Sequence, residues 1–129
     1  MYELAHLGIV VKNCDRSTDF YGRILGCTVI DSIANEELKI VYLQSGALTI
    51  ELLEYLVPPS SPREAGTFDH LAFSVPNIQA AIARLNEQGV EFLSGSPRLA
   101  MNGKKIIFFT GPDGERIELL EKRAEEPGF

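Results

Sequence analysis

Apolar and polar residues alternate along most of this chain, and the alternation gives way twice to a longer, helical period. The first alternating run predicts a strand over Glu3–Lys12, with Leu4, His6, Gly8 and Val10 on one face. "NCDRSTDFYGRILG" follows and predicts a helix. Asn13 or Asp15 can cap its start, Phe20, Ile24 and Leu25 supply an apolar stripe, and Gly26 suits its end. Three strands are expected next, over Thr28–Ile33, Lys39–Gln44 and Leu48–Tyr55, with turns at Asn35–Glu37 and Ser45–Gly46. "LVPPSSPREAG" is built from turn formers and reads as a linker. The order then starts again. A strand over Phe68–Val75 leads to a helix over Asn77–Gln88, stopped by Gly89. Strands over Val90–Leu93, Lys105–Thr110 and Glu115–Glu121 complete the series, the last two joined by the turn Pro112-Asp113-Gly114.

The pattern is therefore β-α-β-β-β written twice, and the residues themselves repeat. "HLGIVVKN" (His6–Asn13) lies over "HLAFSVPN" (His70–Asn77), and "KIVYLQ" (Lys39–Gln44) over "KIIFFT" (Lys105–Thr110). "SGALTIELLEY" lies over "DGERIELLEK" with one residue of slippage, so "IELLE" occurs at Ile50–Glu54 and again at Ile117–Glu121. The expected fold class is α+β: two tandem βαβββ modules with mixed, mainly antiparallel sheets. The first module is placed at residues 1–56, a linker at 57–66, the second module at 67–123 and a polar tail at 124–129. Neither half can bury both faces of a four-stranded sheet alone, so the halves are expected to pair within one domain.

Composition narrows the setting. At 45% apolar and 23% charged residues, the chain is an ordinary globular protein. A net charge of −6 supplies no basic surplus for nucleic acid or an anionic membrane, and neither is expected as a partner. No apolar run long enough for a membrane span occurs, and no secretory signal pattern opens the chain. Cys14 and Cys27 form no C-x-x-C pair and are expected as reduced packing residues, in keeping with a cytoplasmic protein. Phe20 and Tyr21 are likewise expected in the core.

A duplicated core needs only its apolar positions, yet this repeat also keeps polar ones. The only two histidines, His6 and His70, open the first strand of each half. Glu51 and Glu118 lie inside the last strand of each half, facing away from their apolar neighbours. A single strand glutamate is usually a solvated surface group, and a single histidine a structural one. Four at matched positions suggest binding of a divalent metal instead. Two imidazoles with two carboxylates suit Ni, Co, Zn, Fe or Mn, and the lack of thiolates argues against a closed structural zinc. Four protein ligands leave two positions of a six-coordinate shell for water or substrate oxygens, which is the layout of Lewis-acid chemistry.

With His6, Glu51, His70 and Glu118 in this repeat, the chain resembles the vicinal oxygen chelate superfamily. That group includes glyoxalase I, methylmalonyl-CoA epimerase, extradiol dioxygenases, fosfomycin-resistance enzymes and metal-free bleomycin-binding proteins. The resemblance runs from His6 to Glu121, through "HLGIVVKNCDRSTDFYGRILG", "FDHLAFSVPNIQAAIARLNEQGV" and "FFTGPDGERIELLE". It implies sheets curved around one divalent metal per site. It also implies a homodimer whose sites draw on one subunit's first half and the other's second half. The ligand set is most similar to that of glyoxalase I, a lactoylglutathione lyase of methylglyoxal detoxification. That similarity implies a substrate chelating through the two oxygens of an α-hydroxycarbonyl. Glu118 or Glu51 would remove the proton α to the carbonyl, and an enediolate would form.

Val10 and Tyr55 stand where glutathione-dependent members commonly carry arginine and asparagine. They weigh against glutathione and leave another thiol adduct or a free hydroxycarbonyl. Lys104 matches the position of a basic residue directed to the thiol cofactor. The alternatives are a methylmalonyl-CoA epimerase-like enzyme, suggested by "GKKIIFF" and "IELLE", and a non-catalytic small-molecule binding or resistance protein on the same scaffold. Arg98, Lys104 and Lys105 are the only local basic group, expected as one cluster on the loop entering the seventh strand, either as solvated loop charge or as a group that attracts an anionic substrate. Strand alternation places Asp69 on the opposite side from His70, and so away from it.

Overall fold

The computed structural model of the chain describes residues 5–58, 68–100, 102–123 and 125. By contacts the chain divides into two compact units, Met1–Gly66 and Thr67–Phe129. Most of the expected linker and tail, and the start of the first expected strand, lie outside the described residues.

The first unit runs β1 (Leu7–Val10), α1 (Cys14–Arg23), β2 (Thr28–Ala34), β3 (Leu38–Ser45) and β4 (Leu48–Tyr55). Its sheet has the order β1-β4-β3-β2. β1 pairs with β4 in parallel, and the other neighbours are antiparallel. Hairpins suffice for antiparallel neighbours, whereas the parallel pair must be reached by a longer connection. Helix α1 packs on β3 and β4. It buries Cys14, Ser17, Tyr21 and Ile24, facing Val41, Leu43, Ile50 and Leu52 of the sheet. Tyr21 is fully buried, while Phe20 is half-buried and meets its ring edge-on at 5.3 Å.

The second unit repeats the plan with β5 (Leu71–Val75), α2 (Ile78–Glu87), β6 (Arg98–Leu99), β7 (Lys105–Thr110) and β8 (Arg116–Glu121). Its sheet order is β5-β8-β7-β6, again with a parallel first pair. The strand expected over Val90–Leu93 is not a strand. Phe92 makes only an isolated bridge to Phe109, and regular pairing with β7 resumes at Arg98–Leu99. The intervening Ser94-Gly95-Ser96-Pro97 explains the shift, since turn formers and a proline without N–H cannot sustain a ladder.

Each helix is started by the same two devices. Asn13, rather than Asp15, caps α1 by accepting the Arg16 N–H at 2.9 Å, and Asn77 caps α2 by accepting the Ala80 N–H at 2.9 Å. The last glutamate of each "IELLE" supplies the second device. Glu54 accepts the Cys14 N–H at 2.7 Å, and Glu121 accepts the Ile78 N–H at 2.9 Å. A carboxylate there satisfies an otherwise unpaired N–H and opposes the helix dipole. Glu54→Ala is therefore expected to cost about 1–2 kcal/mol, read as a lower urea midpoint at unchanged slope. An unchanged midpoint would remove this role from Glu54.

Candidate functional site

In the first unit the parallel register sets Gly8 of β1 beside Glu51 of β4. Ile50 and Leu52 are 2% and 0% exposed against the helix, so Glu51 points out of the other face of the sheet. His6 lies two residues before Gly8 and reaches that face from just ahead of β1. Its Nε2 stands 2.9 Å from Glu51 Oε2. At that distance one proton lies between them, with Nε2–H donating to the carboxylate. β4 is an interior strand, and the Glu51 side chain is only 12% exposed. A solvated edge position therefore does not account for this glutamate.

The second unit builds the same pair. Ala72 of β5 stands beside Glu118 of β8, and Ile117 and Leu119 are buried on the helix side. His70 Nε2 is 3.8 Å from Glu118 Oε1, beyond hydrogen-bond distance, and the Glu118 side chain is also 12% exposed. The expectation for Asp69 is corrected here: its Oδ2 lies 2.7 Å from His70 Nδ1. Strand alternation does not govern this dipeptide, because β5 begins only at Leu71. The carboxylate fixes the proton on Nδ1 and leaves the Nε2 lone pair free to act as a ligand. The hydrogen bond from His70, with the nearby Arg116 charge, holds Asp69 below the usual carboxylate range.

An aromatic and cationic surround goes with the second pair. Phe108 stands beside Glu118 in the β7–β8 ladder and meets the His70 ring edge-on at 5.6 Å. The Arg116 guanidinium lies 4.4 Å from the Phe108 centroid, and that of Arg98 lies 5.9 Å from it. Arg116 also bonds Asp69 at 3.3 Å, so part of its charge is already matched. Arg98 has no carboxylate partner among the described residues. Arg116 was missing from the sequence reading, although the alternation that placed Glu118 also places the residue two positions earlier on its face. The expected basic cluster is divided: Arg98 accompanies Phe108, whereas Lys104 and Lys105 line a separate cleft with Glu121.

The donors within each unit suit a metal ion. Ligands about 2.0–2.2 Å from one ion stand roughly 3 Å apart at a right angle and farther apart as the angle opens. Separations of 2.9 Å and 3.8 Å both meet that condition. Among the described residues no three His, Cys, Asp or Glu side chains gather as a metal cluster. Each unit thus offers an imidazole and a carboxylate. Cys14 and Cys27 are free and buried, and burial raises both thiols above their usual range, as befits packing residues. Among the described residues no helix is long and apolar enough to cross a membrane.

A family model described as the Glyoxalase/Bleomycin resistance protein/Dioxygenase superfamily matches residues 3–119. Uncharacterized protein YaeR of Escherichia coli (strain K12) is 34% identical over 127 residues, covering 93% of this chain and 96% of that one. The mitochondrial methylmalonyl-CoA epimerase of Homo sapiens is 29% identical, over 90% of this chain and 72% of the epimerase. Lactoylglutathione lyase of Escherichia coli O157:H7 is 29% identical, over 93% of each chain. Among solved structures, the glyoxalase family protein from Enterococcus faecalis superposes with a TM-score of 0.78 at 34% identity, covering 92% of this chain and 97% of that one.

Proposed function

The chain belongs to the glyoxalase/bleomycin resistance protein/dioxygenase superfamily, and from that premise we propose that it is a metal-dependent lyase or isomerase of the glyoxalase I type. Its reaction is removal of the proton α to a carbonyl in a hemithioacetal-type substrate and return of that proton to the neighbouring carbon. The observation that carries this reading is the duplicated His–Glu pair, with both carboxylates on interior strands and largely withdrawn from water. His6, Glu51, His70 and Glu118 together would hold one divalent ion, Ni, Co, Zn, Fe or Mn. Such an ion, when bound, lowers the cost of the negative charge that develops on the substrate oxygens.

The two glutamates differ in a way that favours Glu118 as the base. Glu51 is engaged by His6 at 2.9 Å, whereas Glu118 stands 3.8 Å from a histidine already oriented by Asp69. A carboxylate free to shift can accept the proton and give it back. Glu51 and the two histidines then serve as ligands. Arg98 on the Phe108 ring supports an anionic group at the non-reacting end of the substrate. Lys104, the other expected substrate residue, supports that end only if the substrate reaches its cleft. The proposed working form is a cytoplasmic homodimer in which each site takes one His–Glu pair from each subunit.

A second reading has one specific support, the similarity to methylmalonyl-CoA epimerase. Both readings need the same carboxylate and differ in substrate. Metal-reconstituted protein should therefore be assayed with hemithioacetals of methylglyoxal and several thiols, and with a methylmalonyl thioester in deuterated water. Turnover of the former supports the lyase. Deuterium uptake from the thioester alone supports the epimerase, and metal binding without either reaction points to a non-catalytic binding protein. Removing the carboxylate behind His70 gives a further check. Asp69→Ala is expected to weaken metal binding by about 10–100-fold, measured by competition with a chelating dye. Unaltered affinity would sever Asp69 from the site.

A further inference from the structure

The two ladders that carry the candidate carboxylates differ at one matched position. Phe108 stands beside Glu118, and at the equivalent place in the repeat Tyr42 stands beside Glu51. The row across the first sheet reads Gly8, Glu51, Tyr42 and Asp31. Directly paired residues share one face of a sheet, so Tyr42 lies on the face to which His6 and Glu51 turn. Val41 and Leu43, its neighbours along β3, are buried on the helix side and give the same orientation independently. Tyr42 itself is half-buried.

Phe108 is engaged on all sides, by the His70 ring edge-on and by two guanidiniums near its own ring. Tyr42 is not. Among the described residues it makes no ring or cation contact, and its hydroxyl has no hydrogen-bond partner. The neighbours explain why. Glu51 is taken by His6 at 2.9 Å, and Asp31, on the other side, accepts the Ser32 N–H at 2.8 Å. The adjoining row is apolar on all four strands: Val10, Leu53, Ile40 and Ile33. A ring placed only for packing has no use for a hydroxyl, and phenylalanine already serves at this position in the second unit. A tyrosine side chain also outreaches a glutamate beside it. Standing up from the sheet, it carries its hydroxyl past the carboxylate, to where a molecule over the His6–Glu51 pair would lie.

We propose that the Tyr42 hydroxyl is a catalytic hydrogen-bond donor, directed at the substrate oxygen that gains negative charge as the α-proton leaves. The role rests on the lyase or isomerase reading above and adds one member to that site. The phenol keeps its own proton. The substrate proton goes to the glutamate base and returns to the neighbouring carbon, and no bond to Tyr42 forms or breaks. A donor fixed beside a developing charge bonds it more strongly than the neutral ground state, and so acts mainly on kcat. The apolar row next to Tyr42 offers no competing donor or acceptor.

Tyr42→Phe isolates the hydroxyl, since the ring stays and Phe108 shows that such a ring fits beside a strand glutamate. Nickel-loaded full chain, freed of excess metal, is titrated calorimetrically with acetohydroxamate, a two-oxygen mimic of an enediolate. Metal affinity is measured separately with a chelating dye, and folding by the urea midpoint. Acetohydroxamate is expected to bind the variant at least about tenfold more weakly, at unchanged metal affinity and unchanged midpoint. On the substrate that the hemithioacetal and thioester assays identify, kcat should fall by about 10²-fold while KM changes by less than about threefold. Equal acetohydroxamate affinity in the two proteins would overturn the proposal. So would a loss of metal affinity, which would make Tyr42 a support for Glu51 rather than a partner of the substrate. A wild-type protein that takes up nickel but binds no acetohydroxamate would overturn the lyase or isomerase reading, and this role with it.

Discussion

Glu118→Gln is expected to lower kcat by about 10²–10⁴-fold on whichever α-hydroxycarbonyl or thioester the protein turns over. The amide cannot accept the substrate proton, yet it keeps the shape of the side chain and an oxygen on the same face of β8. Glu51→Gln should behave differently. Its carboxylate is engaged by His6, so its main loss should appear as weaker metal binding, with kcat partly recovered at high metal concentration. The two variants need to be compared at saturating metal, where a deficit in affinity no longer hides a deficit in chemistry. A larger kcat loss for Glu51→Gln than for Glu118→Gln would exchange the two roles. Equal and small losses in both would remove proton abstraction by either glutamate.

The second large effect concerns the histidines. His6→Ala or His70→Ala leaves one carboxylate without its imidazole. Each is expected to weaken metal binding by more than about 100-fold, the upper end of what loss of a mere supporting group costs. Both variants should be inactive alone. If each site takes one pair from each subunit, mixing the two variants restores sites in which both pairs are intact. Half of randomly assorted dimers are mixed and each holds one intact site of two, so about a quarter of wild-type activity should return after subunit exchange. A metal site closed within one chain gives no recovery at all. Activity of either single variant near wild type would exclude that histidine from the site.

Much of this was legible in the sequence because it follows from period and repetition. Alternation located seven of the eight strands among the described residues, and the matched "HLGIVVKN" and "HLAFSVPN" segments placed a histidine at the opening of the first strand of each half, which the structure pairs in parallel with the strand bearing Glu51 or Glu118. Ile50, Leu52, Ile117 and Leu119 identified the buried face, and so the opposite face for Glu51 and Glu118. Alternation failed where the chain is not a strand. Asp69 turns to His70 because residues 68–70 precede β5, and the strand expected at Val90–Leu93 yields to the short β6 beyond Pro97.

Other features depend on contacts distant in sequence. Nothing local to "IELLE" shows that its final glutamate will meet a helix start, because Glu54 and Cys14 are 40 residues apart and Glu121 and Ile78 are 43 apart. The division of Arg98 from Lys104 and Lys105 likewise follows from the turn at Gly103 and the two sides of β7, not from their closeness along the chain. "IELLE" thus combines three duties in five residues: apolar packing, a carboxylate on the candidate site, and a carboxylate at a helix start.

The most direct test of the central claim is the number of divalent ions bound per chain at full activity. Apoprotein should be titrated with nickel, cobalt or zinc while bound metal and turnover are followed together. Activity is expected to rise linearly and level off at one ion per chain. Full activity without metal, or two ions per chain at the plateau, would contradict the joining of the two His–Glu pairs on a single ion.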